Sequence, residues 1–179
     1  MSNFPSFKQL SELNDEKWVE NVRKLFEPSK PLEEYLLSLR KNFKSYEEII
    51  EESRKYINDL FNSEKNQLRE EKLLQVINAH PRLGEKDPNK LSEQSKKEQK
   101  FGISEEEEIV NQFLDLSQKY ENKFGFKFII FVNGRTKKQL IAPLIKRLQN
   151  ENREEEMREA IDAMLNIALD RLKKFQSNL

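Results

Sequence analysis

The sequence contains no cysteine and a single histidine, His80, among its 179 residues. Without cysteine there is no disulfide, no thiolate nucleophile, no cysteine-ligated zinc and no iron–sulfur cluster. With one histidine, a three-histidine zinc site cannot form within one chain, and any histidine-based acid–base mechanism must use His80. No glycine-rich phosphate loop and no carboxylate pattern typical of a metal site is present, so we expect neither a nucleotide nor a metal.

The chain also lacks an excess of charge, because 32 basic and 32 acidic side chains give a net charge of zero. This balance argues against broad electrostatic attraction to nucleic acid or to an anionic membrane. No run approaches the roughly 18 to 20 apolar residues that span a bilayer, and residues 1–10 lack the pattern of a secretory signal. We therefore expect a cytoplasmic protein. The weak similarity of Ser177-Asn178-Leu179 to a peroxisomal signal makes the peroxisome the alternative in a eukaryote.

Glycine and proline are scarce, with 4 and 6 residues respectively. Their scarcity, together with abundant Glu, Lys, Leu and Arg, favours helix. The length suits one domain, 1–179, and we expect an all-α bundle of about seven to eight helices. Hydrophobic spacing and capping signals place the helices at 10–26 with Asn14 or Asp15 as a start signal, 32–43, 45–61, 63–79, 91–100, 105–121 after Ser104, 136–148 with an interruption or kink at Pro143, and 153–175.

Residues 124–132 differ from the rest because they are aromatic and β-branched and lead into the turn signal Asn133-Gly134. They predict a short, buried, extended segment. A lone extended segment has no ladder partner in the chain, so its backbone N–H and C=O groups must bond to something else. Its side chains would fill the core, its backbone would bind a polar ligand, or both.

Three further features each allow a structural and a functional interpretation. His80 precedes Pro81, where a helix must end, and is either a catalytic group on a shaped loop or a residue that caps the helix. Ser95-x-x-Glu98-Gln99 is either a capping box or one helical face directed at a ligand. Arg171, at the edge of an apolar stripe, is either paired with an acid or snorkelling, or it is a fork for a ligand carboxylate.

Five motifs occur in an order and spacing that resemble one known family. They are Ala79-His80-Pro81-Arg82-Leu83-Gly84, Ser95-x-x-Glu98-Gln99, Tyr120-Glu121-x-x-Phe124-Gly125-Phe126, Phe131-Val132-Asn133-Gly134-Arg135 and Ile167-Ala168-x-x-Arg171-Leu172. Over roughly residues 7–175 the chain resembles 2-oxo-4-hydroxy-4-carboxy-5-ureidoimidazoline (OHCU) decarboxylases. The resemblance implies an all-α, cofactor-free enzyme of urate degradation that forms (S)-allantoin. It also implies a homodimer and functional coupling to 5-hydroxyisourate hydrolase.

The resemblance further implies roles for particular residues. His80 would be the general acid–base group, assisted by Glu98, and Arg171 would bind the substrate. The other implied substrate contacts are Pro81, Ser95, Lys96, Lys97, Glu98, Gln99 and the segment Phe128, Ile129, Ile130, Phe131 and Val132. The alternative from another class is a non-enzymatic helical protein-binding module, which predicts an exposed apolar groove.

Overall fold

Helices account for most of the structure. The computed structural model describes residues 4–85, 89, 91–99 and 107–177, and for residues 97–99 it describes the backbone alone. The described residues form nine α-helices, one three-residue 3-10 turn at Arg40–Asn42, and no strand. The helices are α1 (Phe7–Glu12), α2 (Asp15–Val22), α3 (Lys30–Leu39), α4 (Tyr46–Asn62), α5 (Gln67–Ala79), α6 (Glu93–Gln99), α7 (Glu107–Phe124), α8 (Lys137–Leu148) and α9 (Arg153–Gln176). The predicted all-α class is confirmed.

The helix predicted over residues 10–26 is in fact two helices, because the chain has two N-terminal caps in this region. Ser6 and Gln9 form a capping box that starts α1, and the Asn14 side chain accepts a hydrogen bond from Lys17 N at 2.9 Å to start α2. The helix predicted from residue 63 begins later, at Gln67, since Asn66 accepts from Arg69 N at 2.9 Å. The described residues therefore form one helix more than the upper end of the predicted number, which was about seven to eight.

The described chain divides into two compact units. The first contains residues 4–79 and 165–177, and the second contains residues 80–164. Helix α9 contributes its first half to the second unit and its second half to the first. None of the described helices has the length and apolar character needed to cross a bilayer.

In the first unit α3 packs against α4 and α5, and α2 packs against both α1 and α3. The inward faces of these helices supply an apolar core. Its fully buried members include Leu10, Trp18, Leu25, Leu36, Ile49, Ile57, Leu73 and Ile77. Each such side chain contributes about 1.5–3 kcal/mol on burial, so this core holds the bundle together.

In the second unit α7 packs along α8, and aromatic rings fill the space around them. Tyr120 lies at the centre, with its ring edge-on to Phe126 at 5.8 Å and to Phe128 at 5.1 Å. Helix α8 starts at a capping box formed by Thr136 and Gln139 and continues through Pro143. The sequence predicted an interruption or kink at Pro143, and the helix is not interrupted there. The cap before Pro143 and the buried Leu144 after it hold both sides in place.

Candidate functional site

His80 follows α5 directly and is buried, with 4% of its surface exposed. Its carbonyl oxygen accepts a hydrogen bond from Lys127 Nζ at 2.9 Å. Lys127 belongs to the predicted extended segment, so this contact ties the backbone of the only histidine to that segment. Pro81, the next residue, is half-buried. The structure thus brings together two of the features that the sequence singled out.

The loop after His80 is fixed on α7. The Arg82 guanidinium donates two hydrogen bonds to the Glu121 carboxylate, with Nε–Oε1 at 2.7 Å, and this pairing raises the pKa of Arg82. Gly84 has a φ of +86°, and a Cβ built there would lie 3.1 Å from Leu114 Cδ2. Gly84 therefore allows both the left-handed turn and the close approach to α7. His80 sits at the start of a loop held at two points.

The predicted extended segment is a connection without helix or strand that starts at Gly125, one residue later than expected, because Phe124 ends α7. Phe128 and Ile129 are buried, while the last three residues, 130–132, are half-buried. Asn133 and Gly134 have φ values of 47° and 73°, and Arg135 N donates to Val132 O at 3.0 Å. The predicted Asn-Gly turn is therefore confirmed.

Arginine side chains satisfy three carbonyl groups of this segment. Arg147 Nη1 donates to Ile129 O at 2.7 Å, while Arg135 donates to Phe131 O at 2.5 Å and to Val132 O at 3.0 Å. The need for backbone partners, inferred from the lone segment, is thus met in part by guanidinium groups. The segment also fills the core with Phe128 and Ile129, so one of its two predicted roles is seen directly.

Arg147 is the centre of a buried polar cluster that also contains Glu156 and Tyr120. Its Nε donates to Glu156 Oε2 at 2.7 Å, and its Nη2 donates to Tyr120 OH at 2.9 Å. Tyr120 OH in turn donates to Glu156 Oε2 at 2.7 Å. The guanidinium carbon lies 4.8 Å from the ring centroid of Phe128. Burial, as the largest cause, raises the pKa of the Tyr120 hydroxyl, which remains a neutral donor.

The sequence did not single out Arg147 or Glu156. Both belong to a chain in which 64 side chains carry charge, so neither stands out by type. The available signal was indirect, because a buried segment without a ladder partner requires donors from elsewhere. That requirement calls for a donor but does not say which of the many basic residues supplies it.

Ser95 is not the N-cap of its helix, which corrects the capping-box interpretation. Helix α6 starts at Glu93, and Ser92 Oγ accepts from Ser95 N at 3.1 Å, so Ser92 is the cap and Ser95 lies in the first turn. Ser95 is buried, and Lys96 forms an ion pair with Glu93 at 2.7 Å on the surface. The side chains of Lys97, Glu98 and Gln99 lie outside what the structure describes, as does Ser104.

Arg171 lies in the first unit and is paired with an acid. Its Nη2 donates to Glu27 Oε1 at 3.0 Å and its Nη1 donates to Leu25 O at 3.3 Å. The side chains of Arg171 and Glu27 are 2% and 4% exposed. Of the interpretations open from the sequence, pairing with an acid is the one observed, and Glu27 is a partner that the sequence did not indicate.

Two other features of the described residues offer no competing site. A surface groove of about 620 Å³ runs along α7, and its described lining contains none of the predicted site residues. No group of three or more described His, Asp or Glu side chains is arranged to hold a metal ion. The cluster around His80 and the segment after Gly125 is therefore the candidate site of the second unit.

A family model described as OHCU decarboxylase matches residues 11–173. Three curated proteins are similar to the chain. The "Uric acid degradation bifunctional protein" of Bacillus sp. (strain TB-90) is 36% identical over 103 residues, 56% of this chain and 20% of the relative. The "Uric acid degradation bifunctional protein PucL" of Bacillus subtilis is 39% identical over 102 residues, 55% of this chain and 20% of the relative. The "2-oxo-4-hydroxy-4-carboxy-5-ureidoimidazoline decarboxylase" of Haloferax volcanii is 27% identical over 178 residues, 96% of this chain and 97% of the relative.

The matches therefore span about a fifth of the length of the two bifunctional relatives and nearly all of the Haloferax protein. Two solved structures share the fold at 21% identity. A structure titled "Crystal structure of (S)-allantoin synthase" has a TM-score of 0.66, with 96% of this chain and 54% of that chain covered. One titled "Crystal structure of OHCU decarboxylase in the presence of (S)-allantoin" has a TM-score of 0.63, with 92% and 99% covered.

Proposed function

The chain belongs to the OHCU decarboxylase family, and from that premise we propose that it decarboxylates OHCU to (S)-allantoin in urate degradation. The observation that carries the proposal is the placement of His80. The only histidine of the chain is buried at the head of a fixed loop and tied through its own carbonyl to Lys127. A buried histidine on a rigid loop suits an acid–base role at a defined position.

The proposed reaction breaks the bond between a ring carbon and its carboxylate. The electron pair of that bond forms a double bond to the adjacent imine-like carbon, whose nitrogen takes up a proton, and carbon dioxide leaves. The hydroxyl of the resulting enol then loses its proton to become a carbonyl group, and the adjacent carbon takes a proton on one face. Because the ring itself holds the electron pair, we propose that the step needs no cofactor. The protein must orient the carboxylate, manage the proton of the substrate hydroxyl, and protonate a single face.

In this scheme His80 is the general acid–base group, and Glu98 sets its protonation or takes the hydroxyl proton. Arg171 holds an anionic or carbonyl group of the substrate, as a guanidinium fork can. Pro81, Ser95, Lys96, Lys97, Gln99 and the backbone of residues 128–132 complete the proposed contacts. The pairing of Arg171 with Glu27 supports its role by holding the guanidinium in one orientation.

We also propose that the chain is a homodimer and acts after 5-hydroxyisourate hydrolase, which supplies its substrate. Both statements rest on the family resemblance. The alternative of a helical protein-binding module receives less support, because the large apolar side chains exposed in the described residues are isolated. They are Leu68 in the first unit and Ile145 in the second.

The proposal is tested by the rate of carbon dioxide release from OHCU made in place by urate oxidase and the hydrolase. The wild-type chain should accelerate release over the spontaneous reaction. His80→Asn should lower the rate by about 100- to 10,000-fold, the usual contribution of one acid–base group. Lys146→Met, a change at an exposed position on α8, is the matched control and should retain the wild-type rate. Wild-type release at the spontaneous rate would remove the enzymatic function.

A further inference from the structure

We propose that Arg147 is a positioning residue that fixes the backbone of residues 128–132 in the shape that binds substrate. This inference rests on the proposed function, in which those residues contact OHCU. Arg147 lies on α8 and is not part of any of the five motifs. Arg147 itself touches no proposed reacting group and acts through Ile129.

The contacts of Arg147 join the segment to three helices at one point. From α8 it reaches Ile129 O at 2.7 Å in the segment, Tyr120 OH at 2.9 Å on α7, and Glu156 Oε2 at 2.7 Å on α9. A guanidinium group is planar and presents its donors in a fixed fork, so three simultaneous hydrogen bonds define its plane. The position of the Ile129 carbonyl is thereby fixed relative to α7 and α9.

The cluster is built so that the guanidinium has one stable orientation. The Glu156 side chain is 2% exposed, and its second oxygen, Oε1, accepts from Asn150 Nδ2 at 3.0 Å. Phe128 places its ring 4.8 Å from the guanidinium carbon and Tyr120 places its ring 5.3 Å from it. A buried carboxylate with both oxygens engaged cannot rotate freely, and it holds Arg147 in turn.

Fixing Ile129 matters because no strand pairs with this segment in the described chain. Without a ladder, the conformation of the backbone depends on side-chain contacts such as this one. The hydrogen bond from Lys127 Nζ to His80 O shows that the same segment also contacts the loop that begins at His80. A shift of the segment would therefore disturb both the proposed substrate contacts and the histidine, and displacements near 1 Å can cost about 100-fold in rate.

Arg147→Lys is the decisive variant, because lysine keeps the charge beside Glu156 but cannot make three hydrogen bonds in one plane. We expect it to lower kcat/KM by about 10- to 100-fold, with most of the loss in KM. We also expect faster amide hydrogen exchange in a peptide covering residues 125–135. If Arg147→Lys folds poorly, the double variant Arg147→Met with Glu156→Gln removes both charges and should show the same kinetic loss.

Leu140→Ala separates positioning from mere stability. It removes a fully buried apolar side chain of the same helix, α8, and none of the hydrogen bonds of Arg147, so it should lower the melting temperature with KM close to wild type. Lys146→Met should change neither. If KM rises in Leu140→Ala as much as in Arg147→Lys at an equal loss of stability, the cluster is structural and the proposal is wrong.

Failure of the function and failure of this inference give different results. A wild-type chain that does not turn over OHCU defeats the proposed function, and with it the substrate-positioning role of Arg147. An active wild type whose Arg147→Lys variant retains wild-type kinetics and wild-type exchange at residues 125–135 defeats the positioning role alone.

Discussion

Arg171 and Glu27 form an ion pair in which both side chains are almost fully buried, at 2% and 4% exposure. A charge taken out of water must be compensated, and here a carboxylate and the carbonyl of Leu25 compensate the guanidinium. The partners lie 144 positions apart in the chain, so no helical spacing could predict the pair. The same holds for Arg147, whose partners come from three separate elements.

Removal of one partner of this pair should be costly. Glu27→Ala removes the Glu27 carboxylate from the buried Arg171 guanidinium, and we expect the free energy of unfolding to fall by about 3–5 kcal/mol. Glu34→Ala is the matched control, since Glu34 pairs with Lys30 at 3.7 Å on the surface of the same unit and should lose less than ~1 kcal/mol. Urea unfolding followed by circular dichroism measures both. Equal losses would show that the buried pair contributes no more than a surface pair.

At the scale of elements, local signals predicted most of the helices. Ser45 caps α4, accepting from Glu48 N at 3.2 Å as expected, and the turn at Asn133-Gly134 lies where the dipeptide placed it. Capping residues also explain where the remaining helices start. Asn14, one of the two start signals seen in the sequence, begins α2, whereas Asn66, which the sequence did not single out, begins α5. Ser95 was misassigned for the related reason that Ser92, three residues earlier, takes the cap.

The segment after α7 was predicted as an exception among helices, but its partners were not. Amino-acid type shows that a stretch is buried and non-helical, whereas its hydrogen-bond donors are brought to it by the fold. Arg135 is local and follows the turn, so its contacts with Phe131 and Val132 were within reach of sequence reasoning. Arg147 lies 18 positions from Ile129, on a helix of its own.

The hydrogen bond between Lys127 and His80 O should matter for activity. Lys127→Met removes the ammonium group that holds His80 O at 2.9 Å. Because the loop that carries the proposed catalytic histidine then loses one of the contacts that hold it in place, we expect kcat/KM to fall by about 10- to 100-fold. Steady-state kinetics on OHCU, alongside the melting temperature, measures the effect.

Lys123→Met is the matched control for that variant. Lys123 Nζ also donates to a backbone carbonyl, Leu148 O at 3.0 Å, and to Glu151 Oε1 at 2.8 Å, and neither of these residues has a proposed catalytic role. It should cost similar stability and leave kcat/KM near wild type. An equal kinetic loss in both lysine variants would mean that the tie to His80 has no particular role.

At the scale of the whole molecule, the sequence predicted the class of fold and the family, but a single domain remains a prediction beside the two compact units observed. The all-α class can be predicted because amino-acid composition and hydrophobic periodicity are visible along the whole sequence. The arrangement into units depends on which buried faces meet, and one long helix, α9, belongs to both units. The sequence of α9 does not indicate this division, because its hydrophobic pattern predicts one continuous amphipathic helix.

All four tyrosines of the chain have a raised pKa, which predicts how the fold responds to alkali. A hydrogen bond to Glu52 is the largest cause for Tyr35, whose pKa rises to about 12, and burial is the largest cause for Tyr46, Tyr56 and Tyr120. Because each folded pKa exceeds the ordinary value of 10.0, the unfolded chain loses these protons first. The stability linked to them is full below pH 10 and is lost as the pH rises through the folded pKa values.

Tyrosinate absorbance and helical circular dichroism, followed together against pH, measure this response. We expect Tyr46 and Tyr120 to ionise above pH 10 in the same step in which the helical signal is lost, because their buried hydroxyl groups ionise only as the helices unfold. Gradual ionisation of all four tyrosines near pH 10 with the helices intact would show that the side chains are accessible, contrary to the packing of Tyr46 and Tyr120.

In the proposed reaction this chain removes carbon dioxide from OHCU and protonates one face, with His80 moving the proton. The handedness of the allantoin formed tests it most directly. With urate oxidase and 5-hydroxyisourate hydrolase supplying the substrate, circular dichroism should show (S)-allantoin accumulating with the wild-type chain and a racemic product with His80→Asn. Racemic allantoin formed at the spontaneous rate by the wild-type chain would contradict the account, and unchanged (S)-allantoin production by His80→Asn would contradict its mechanism.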